Sequence, residues 1–411
     1  MSSTEHERPP NARWGMAVRG WLCQNVSLGA AFGAFGITIL PLQKEFGISR
    51  GEVTLGLSLA VLAMSLCGPL AAALIGRAGI RRTMLLGISL SGAGYLLIAF
   101  APDFWLALAA YGLLIGPGLA MSGPLPVSVL ANNWFQPRPG RAVGFVNMPL
   151  LVALLPILGQ FVIEQGGLRA LYLALTGLHL AAIPLVWGVV DRPAGQSEAP
   201  APIHFVSAAV TARSLVRQPA FWAMVIGAGV LNAIGITGVS HIVPLAREIG
   251  ASPVDASLIA GLSGGASMVG ALLAGVICDR LGAARTLSLI AAAFAVSWLV
   301  LGDSAWSVLI GLPVLVIGLC AASVFPSVNL LASDLWGSVA LPHVLGLFGL
   351  LTLPLTFALP PLAGALHDAG GGYRPVALAI AVSASAVWLI FHMLARAASR
   401  RSRRDASEAL V

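Results

Sequence analysis

Charge is what this sequence has least of. Only 9% of its 411 residues are charged while 58% are hydrophobic, and mean hydropathy is +0.90. A soluble domain carries roughly 25% charged residues, so nothing here could cover such a core with polar surface in water. Lysine is almost missing: of 23 basic residues only Lys44 is one. The 16 acids fall in loops or at the ends of apolar runs, which leaves no carboxylate inside a run as a buried proton carrier. Cysteine is scarce as well. Cys23, Cys67, Cys278 and Cys320 lie in or beside apolar runs without paired spacing, and read as small core residues rather than a disulfide framework or metal site. No Gly-x-x-x-x-Gly-Lys loop, no His-Glu-x-x-His and no Ser-His pair at useful spacing occurs. The sequence thus points away from ATP as a driver, from an enzyme and from any cofactor.

What is present is a series of apolar runs of about 20 residues, the length that crosses a bilayer as helix. Twelve spans are predicted, near residues 15–39, 53–75, 83–101, 105–130, 142–164, 169–190, 220–244, 254–277, 285–302, 305–331, 343–366 and 375–396. The fold class is therefore all-α and polytopic. One long polar connection, residues 191–219, separates spans 1–6 (residues 1–190) from spans 7–12 (residues 220–411). It begins as a Pro/Ala/Gly linker and continues from Val206 to Arg217 as a short amphipathic helix suited to a membrane surface. Residues 1–13 lack the order of parts of a cleaved signal peptide.

The two halves repeat each other at an offset of 203. Gly47 falls on Gly250, Ser49 on Ser252, Arg77 on Arg280, Gly79 on Gly282 and Arg82 on Arg285. A repeat near 200 residues is too long for a solenoid unit. It fits two similar membrane bundles with a substrate site near the midplane between them. Eighteen basic residues fall on the side of the termini and five on the other: Lys44, Arg50, Arg169, Arg247 and Arg374. That asymmetry predicts cytoplasmic termini. Arginines confined to short turns speak for a lipid bilayer as partner and against nucleic acid.

With no acid inside the spans, and Arg19 near the end of span 1 expected to snorkel to the headgroups, a binding cavity has to be built from neutral polar groups. The candidates are Asn25 in span 1, Ser122 in span 4, Asn147 in span 5, Asn232, Thr237 and His241 in span 7, Phe325 and Asn329 in span 10, and Thr356 in span 11. Thr237 and His241 are four apart and share a helix face. A lone Ser or Thr more often bonds back within its own helix, whereas an amide in lipid needs real partners. His241 is also the candidate for carrying a coupling proton. Prolines at 117, 124, 126, 326, 354, 360 and 361 are expected to break spans 4, 10 and 11.

These features together resemble the major facilitator superfamily. Gly275-Val-Ile-Cys-Asp279-Arg280-Leu-Gly282-Ala-Ala-Arg285 is similar to that family's loop motif, and the first copy is degraded, with Gly76 where the aspartate would stand. Arg13-Trp14-Gly15, Trp134-Phe135-x-x-Arg138-x-Gly140-x-Ala142-x-Gly144 and His241-Ile-Val-Pro244-Leu-Ala resemble bacterial monocarboxylate-transporter-like and oxalate/formate-type carriers. The resemblance implies a twelve-helix secondary carrier, monomeric, in a bacterial inner membrane. It would work by alternating access, with spans 1, 4, 7 and 10 lining the cavity. The substrate it implies is a small organic anion such as a monocarboxylate, with a proton as coupling ion. It also implies a cytoplasmic gate built from Asp279 and Arg280, their counterpart Arg77, and Arg138 and Arg141 before span 5. One departure stands out: such carriers place an arginine in span 8 about where Gly270-Ala271 stands. A neutral lining with Met64, Met121, Phe145, Phe325 and Phe357 would equally suit an exporter of uncharged or amphiphilic compounds. A transport-like sensor without turnover is a third reading.

Overall fold

The computed structural model describes residues 10–135, 142, 145–193, 212–302, 310–337 and 341–408. Among them regular structure is helical throughout, with no strand. Nine helices are long and apolar enough to cross a membrane, and two bent pairs pass the same test. Span 1 is one such pair, Ala12–Gly33 with Phe35–Phe46, bent by 45°. The bend follows a π-helical turn at Gly29–Gly33, a recognised cause of kinks. Span 2 is the other, Arg50–Leu66 with Gly68–Ala78, bent by 48° where Pro69 enters the second helix. Spans 5 and 6 run together as Leu150–Trp187, joined at Gly167 with φ 75°. Each of the twelve expected spans thus has helix among its described residues, with span 5 interrupted at Asn147–Pro149.

The sequence repeat is also a backbone repeat. Gly47 and Gly250 both take positive φ (66° and 97°), as do Gly79 and Gly282 (88° and 84°), a region open mainly to glycine. Each helix that follows the Gly47 or Gly250 turn is capped by the serine of that turn, in the first copy by a full capping box. The Ser49 hydroxyl accepts from Glu52 N–H, and the Glu52 carboxylate accepts from the Ser49 N–H and hydroxyl. In the second copy the Ser252 hydroxyl accepts from Asp255 N–H and donates to the Asp255 carboxylate.

The prolines act differently from the expectation. Span 4 does break, at Gly123 just before Pro124. Spans 10 and 11 do not: Gly311–Trp336 runs through Pro326, and Leu341–Gly370 runs through Pro354, Pro360 and Pro361. Neighbouring polar groups and helices in a bilayer can satisfy the backbone groups that proline frees, so a helix need not end there.

The chain divides into two compact units. One comprises Met1–Ala34, Leu59–Leu155 and Phe161–Ala201; the other comprises Phe35–Ser58, Pro156–Gln160 and Pro202–Val411. The first has a core around Cys23, Met84, Ile88, Leu130, Trp134 and Val186. The second has a core around Phe221, Leu231, Leu287, Phe294, Trp298 and Phe391. Large apolar side chains such as Leu158, Phe161, Leu272, Leu312 and Val382 stay exposed, an outer surface that only hydrocarbon would favour. Residues 206–211 of the expected surface helix lie outside the described residues; Ala212–Leu215 is helical.

Candidate functional site

In the first unit the polar candidates are engaged with backbone. Asn25 is buried, and its amide nitrogen donates to Trp21 O (3.0 Å) and Met148 O (2.9 Å) while its oxygen accepts from Leu151 N–H (2.9 Å). The cause is local. Pro149 interrupts the chain before the helix that starts at Leu150, so Leu151 N–H lies in a first turn without an intrahelical acceptor. Asn25 supplies one, and its amide joins Leu150 N–H (3.1 Å) and Trp21 Nε1 (3.0 Å) as a donor to Met148 O. Ser122 is buried, donates to Gly118 O at 2.7 Å and lies 2.7 Å from the Ser27 hydroxyl. Asn147 donates to the Ser128 hydroxyl at 3.1 Å. Arg19, the basic residue nearest a span interior, donates to Gly188 O.

In the second unit Thr237 bonds back to Ala233 O, Thr356 to Thr352 O and Leu353 O, and Asn329 to Phe325 O. Phe325 is 58% exposed. Asn232 is half-buried and, among the described residues, no group hydrogen-bonds its amide. It is therefore the candidate asparagine whose donors and acceptor stay free.

His241 is wholly buried rather than wet. Its Nε2 lies 3.0 Å from Pro360 O and its Nδ1 2.9 Å from the Tyr373 hydroxyl. A carbonyl only accepts, so Nε2 carries the proton and Nδ1 accepts from Tyr373. The Tyr373 ring also packs on the His367 ring, centroids 4.6 Å apart, with the Arg50 guanidinium 5.4 Å from its centroid. Around them Glu248 and Asp368 complete a charged cluster at the ends of spans 2, 7, 11 and 12. Arg50 Nη1 lies 3.4 Å from Glu248 Oε2, and Arg50 N–H donates to Asp368 Oδ2 at 3.0 Å. None of this cluster except Arg50's place in the charge pattern was visible in the sequence.

Of the gate residues, Asp279, Arg280 and Arg77 are exposed, and none has an ion-pair partner among the described residues. Arg138 and Arg141 lie outside the described residues. The degraded first motif has a substitute that sequence reading missed. Asp191, just past span 6, accepts from Ile80 N–H (2.8 Å) and Arg81 N–H (3.0 Å) and so caps span 3. Asn133 donates to Asp191 O and Trp134 Nε1 to Val190 O, which fixes that turn. Asp191→Ala is expected to cost about 1–2 kcal/mol, the usual loss for a helix cap, read as a lower unfolding midpoint in detergent.

The missing span-8 arginine has a structural counterpart. A Cβ on Gly270 would overlap the Leu319 carbonyl of span 10. Ser323 donates to Gly270 O (2.8 Å) and Ser267 to Gly318 O (3.0 Å), so spans 8 and 10 meet backbone to backbone at this point.

The Major Facilitator Superfamily profile matches residues 21–351 and again 225–410. The chain is 27% identical over 188 residues to monocarboxylate transporter 6 of Homo sapiens, covering 46% of this chain and 37% of that protein. It is 31% identical over 177 residues to monocarboxylate transporter 3 of Mus musculus, covering 42% and 35%. The matched stretch is thus well under half the length of these relatives. Among solved structures it is similar to the nucleoside transporter NupG (14% identity, TM-score 0.74, covering 93% of this chain and 99% of that one). It is similar also to a D-xylose-proton symporter (15% identity, TM-score 0.70, covering 92% and 97%).

Proposed function

Because the chain belongs to the Major Facilitator Superfamily, and is a multi-pass secondary transporter rather than an enzyme, we propose that its substrate is a small organic anion, a monocarboxylate, moved together with a proton by alternating access. The similarity to monocarboxylate transporters 6 and 3 is the observation that carries this reading. The physical case for a proton is the neutral lining. A lone anion crossing a membrane potential works against about 2.3 kcal/mol per 100 mV; one proton per anion removes that term. Asn232, with its amide free, is the group that takes the carboxylate. His241 is held by two fixed hydrogen bonds and positions Tyr373. In this reading the membrane is a bacterial inner membrane, and the arginine asymmetry supports cytoplasmic termini with the Arg50 cluster on the outer side. The carrier works as a monomer, with Asp279, Arg280 and Arg77 at its cytoplasmic gate.

The test is uptake of labelled L-lactate and pyruvate into proteoliposomes with and without an inward proton gradient. Accumulation only with the gradient is expected. Asn232→Leu should raise KM about tenfold, the loss of roughly 1.4 kcal/mol of binding, with the unfolding midpoint unchanged. A second reading, export of an uncharged or amphiphilic compound, draws on the engaged Arg19, the closed place at Gly270 and the exposed Phe325. Absence of carboxylate uptake together with binding of such compounds would favour it.

A further inference from the structure

The spans hold no interior carboxylate, so a coupling proton must be loaded elsewhere. The cluster around His367 has the geometry for it. His367 Nε2 lies 2.7 Å from Glu248 Oε2, and Nδ1 lies 3.0 Å from Asp368 Oδ1. Ionised carboxylates only accept hydrogen bonds, so each contact needs a proton between its atoms. A neutral imidazole carries one. A second proton, on the ring or on Glu248, would fill the other contact. Arg50 Nη1 sits 3.0 Å from the same Nε2 and only 3.4 Å from Glu248 Oε2. A guanidinium is always a donor, so a bare Nε2 accepts from Arg50 whereas a protonated Nε2 donates to Glu248; Arg50 and the proton compete for Nε2 and for Glu248.

We propose that His367, Glu248 and Asp368 form a proton-binding site in which the bound proton and Arg50 compete for Glu248. This rests on the reading of the chain as a proton-coupled carrier, and it moves the proton from His241 to His367. With the proton bound, the charges of Arg50, His367, Glu248 and Asp368 cancel. Without it, the lone pair on Nε2 faces a carboxylate, Glu248 turns to Arg50, and the turn before span 2 is held against the ends of spans 7 and 11. Acid thus loosens Arg50 and base tightens it. By linkage, the conformation with Arg50 withdrawn binds the proton more tightly by the same factor. The proton enters from water as an N–H bond at Nε2 and returns to water by the same route; the side chains of Glu248 and Asp368 keep 35% and 31% exposure, against 12% for His367. Other groups facing the site are Tyr373, packed on the His367 ring, and Gln43, which accepts from Arg50 Nε at 3.3 Å. Glu52 lies within electrostatic reach of Asp368, and His241, bonded to the Tyr373 hydroxyl, lies within electrostatic reach of Arg50, His367 and Asp368.

The experiment places spin labels at the exposed residues Glu45 and Arg374 and follows their separation in nanodiscs by pulsed electron resonance, at about pH 5 and about pH 8, where imidazole ordinarily changes charge. The longer-distance population should grow about threefold in acid, as expected for one ion pair at a partly exposed site. His367→Gln and Glu248→Gln should each abolish the pH response, and Arg50→Gln should give the longer distance at both pH values. An unchanged distribution in the wild type, or a full response in folded His367→Gln, would overturn the proposal. The readout needs no substrate. If lactate transport is absent but the pH response is present, the substrate reading falls and the proton site stands; if transport is present without the response, the reverse holds.

Discussion

Gly270→Arg yields no stable carrier, although an arginine in this part of span 8 is what the resemblance to monocarboxylate carriers calls for. The first atom beyond Cα already overlaps Leu319 O. Overpacking a well-filled core costs typically 1–3 kcal/mol, and a charge set in a span adds about 2.5–3.5 kcal/mol by insertion scales. Together these amount to about 3.5–6.5 kcal/mol, a large share of the roughly 5–15 kcal/mol that usually separates folded from unfolded protein. Spans 8 and 10 would have to part, breaking the Ser323 and Ser267 hydrogen bonds that join them. Size-exclusion profiles and thermal unfolding in detergent read the result. Recovery of monodisperse Gly270→Arg protein with wild-type stability would mean that spans 8 and 10 do not meet as described.

Asn25→Leu should be the most damaging polar substitution in the first unit, and it should act on folding rather than on substrate. The replacement keeps the branched shape but strands Leu151 N–H, which no other side chain among the described residues reaches, and takes one donor from Met148 O. A buried unsatisfied backbone group costs about 1–3 kcal/mol, and each ordinary hydrogen bond lost adds about 1 kcal/mol. A loss near 3 kcal/mol is expected, with KM for lactate unchanged in the protein that remains folded. Asn232→Leu gives the opposite pattern, a raised KM at constant stability. If Asn25→Leu raised KM and left the unfolding midpoint alone, Asn25 would be a ligand and not a clamp.

These two asparagines show where sequence reading ends. Both are amides inside apolar spans, and nothing local separates them. Asn25 meets groups 123 and 126 residues away, and those groups are backbone atoms on either side of Pro149. His241 meets partners 119 and 132 residues away. Such pairings are set by how helices stack, which a pattern of residue types does not encode. The fold is different. Span lengths and the Gly47/Gly250 and Gly79/Gly282 turns depend on residues within a few positions of each other, so they were legible. The prolines of spans 10 and 11 misled because the propensity against proline was learned in water, whereas a bilayer favours keeping the helix. The His367 cluster was overlooked for a related reason: its acids lie at span ends, where a solvated charge is the ordinary case, and only the meeting of spans 2, 7, 11 and 12 makes it a site.

The central claim is that this chain carries small monocarboxylates, and counterflow tests it most directly. Proteoliposomes loaded with unlabelled L-lactate, and given labelled L-lactate outside at equal pH on both sides, should take up label transiently above its equilibrium level. His367→Gln should retain that exchange while losing accumulation driven by a proton gradient. No overshoot with lactate, pyruvate or any other small monocarboxylate, in protein shown to be folded, would contradict the account.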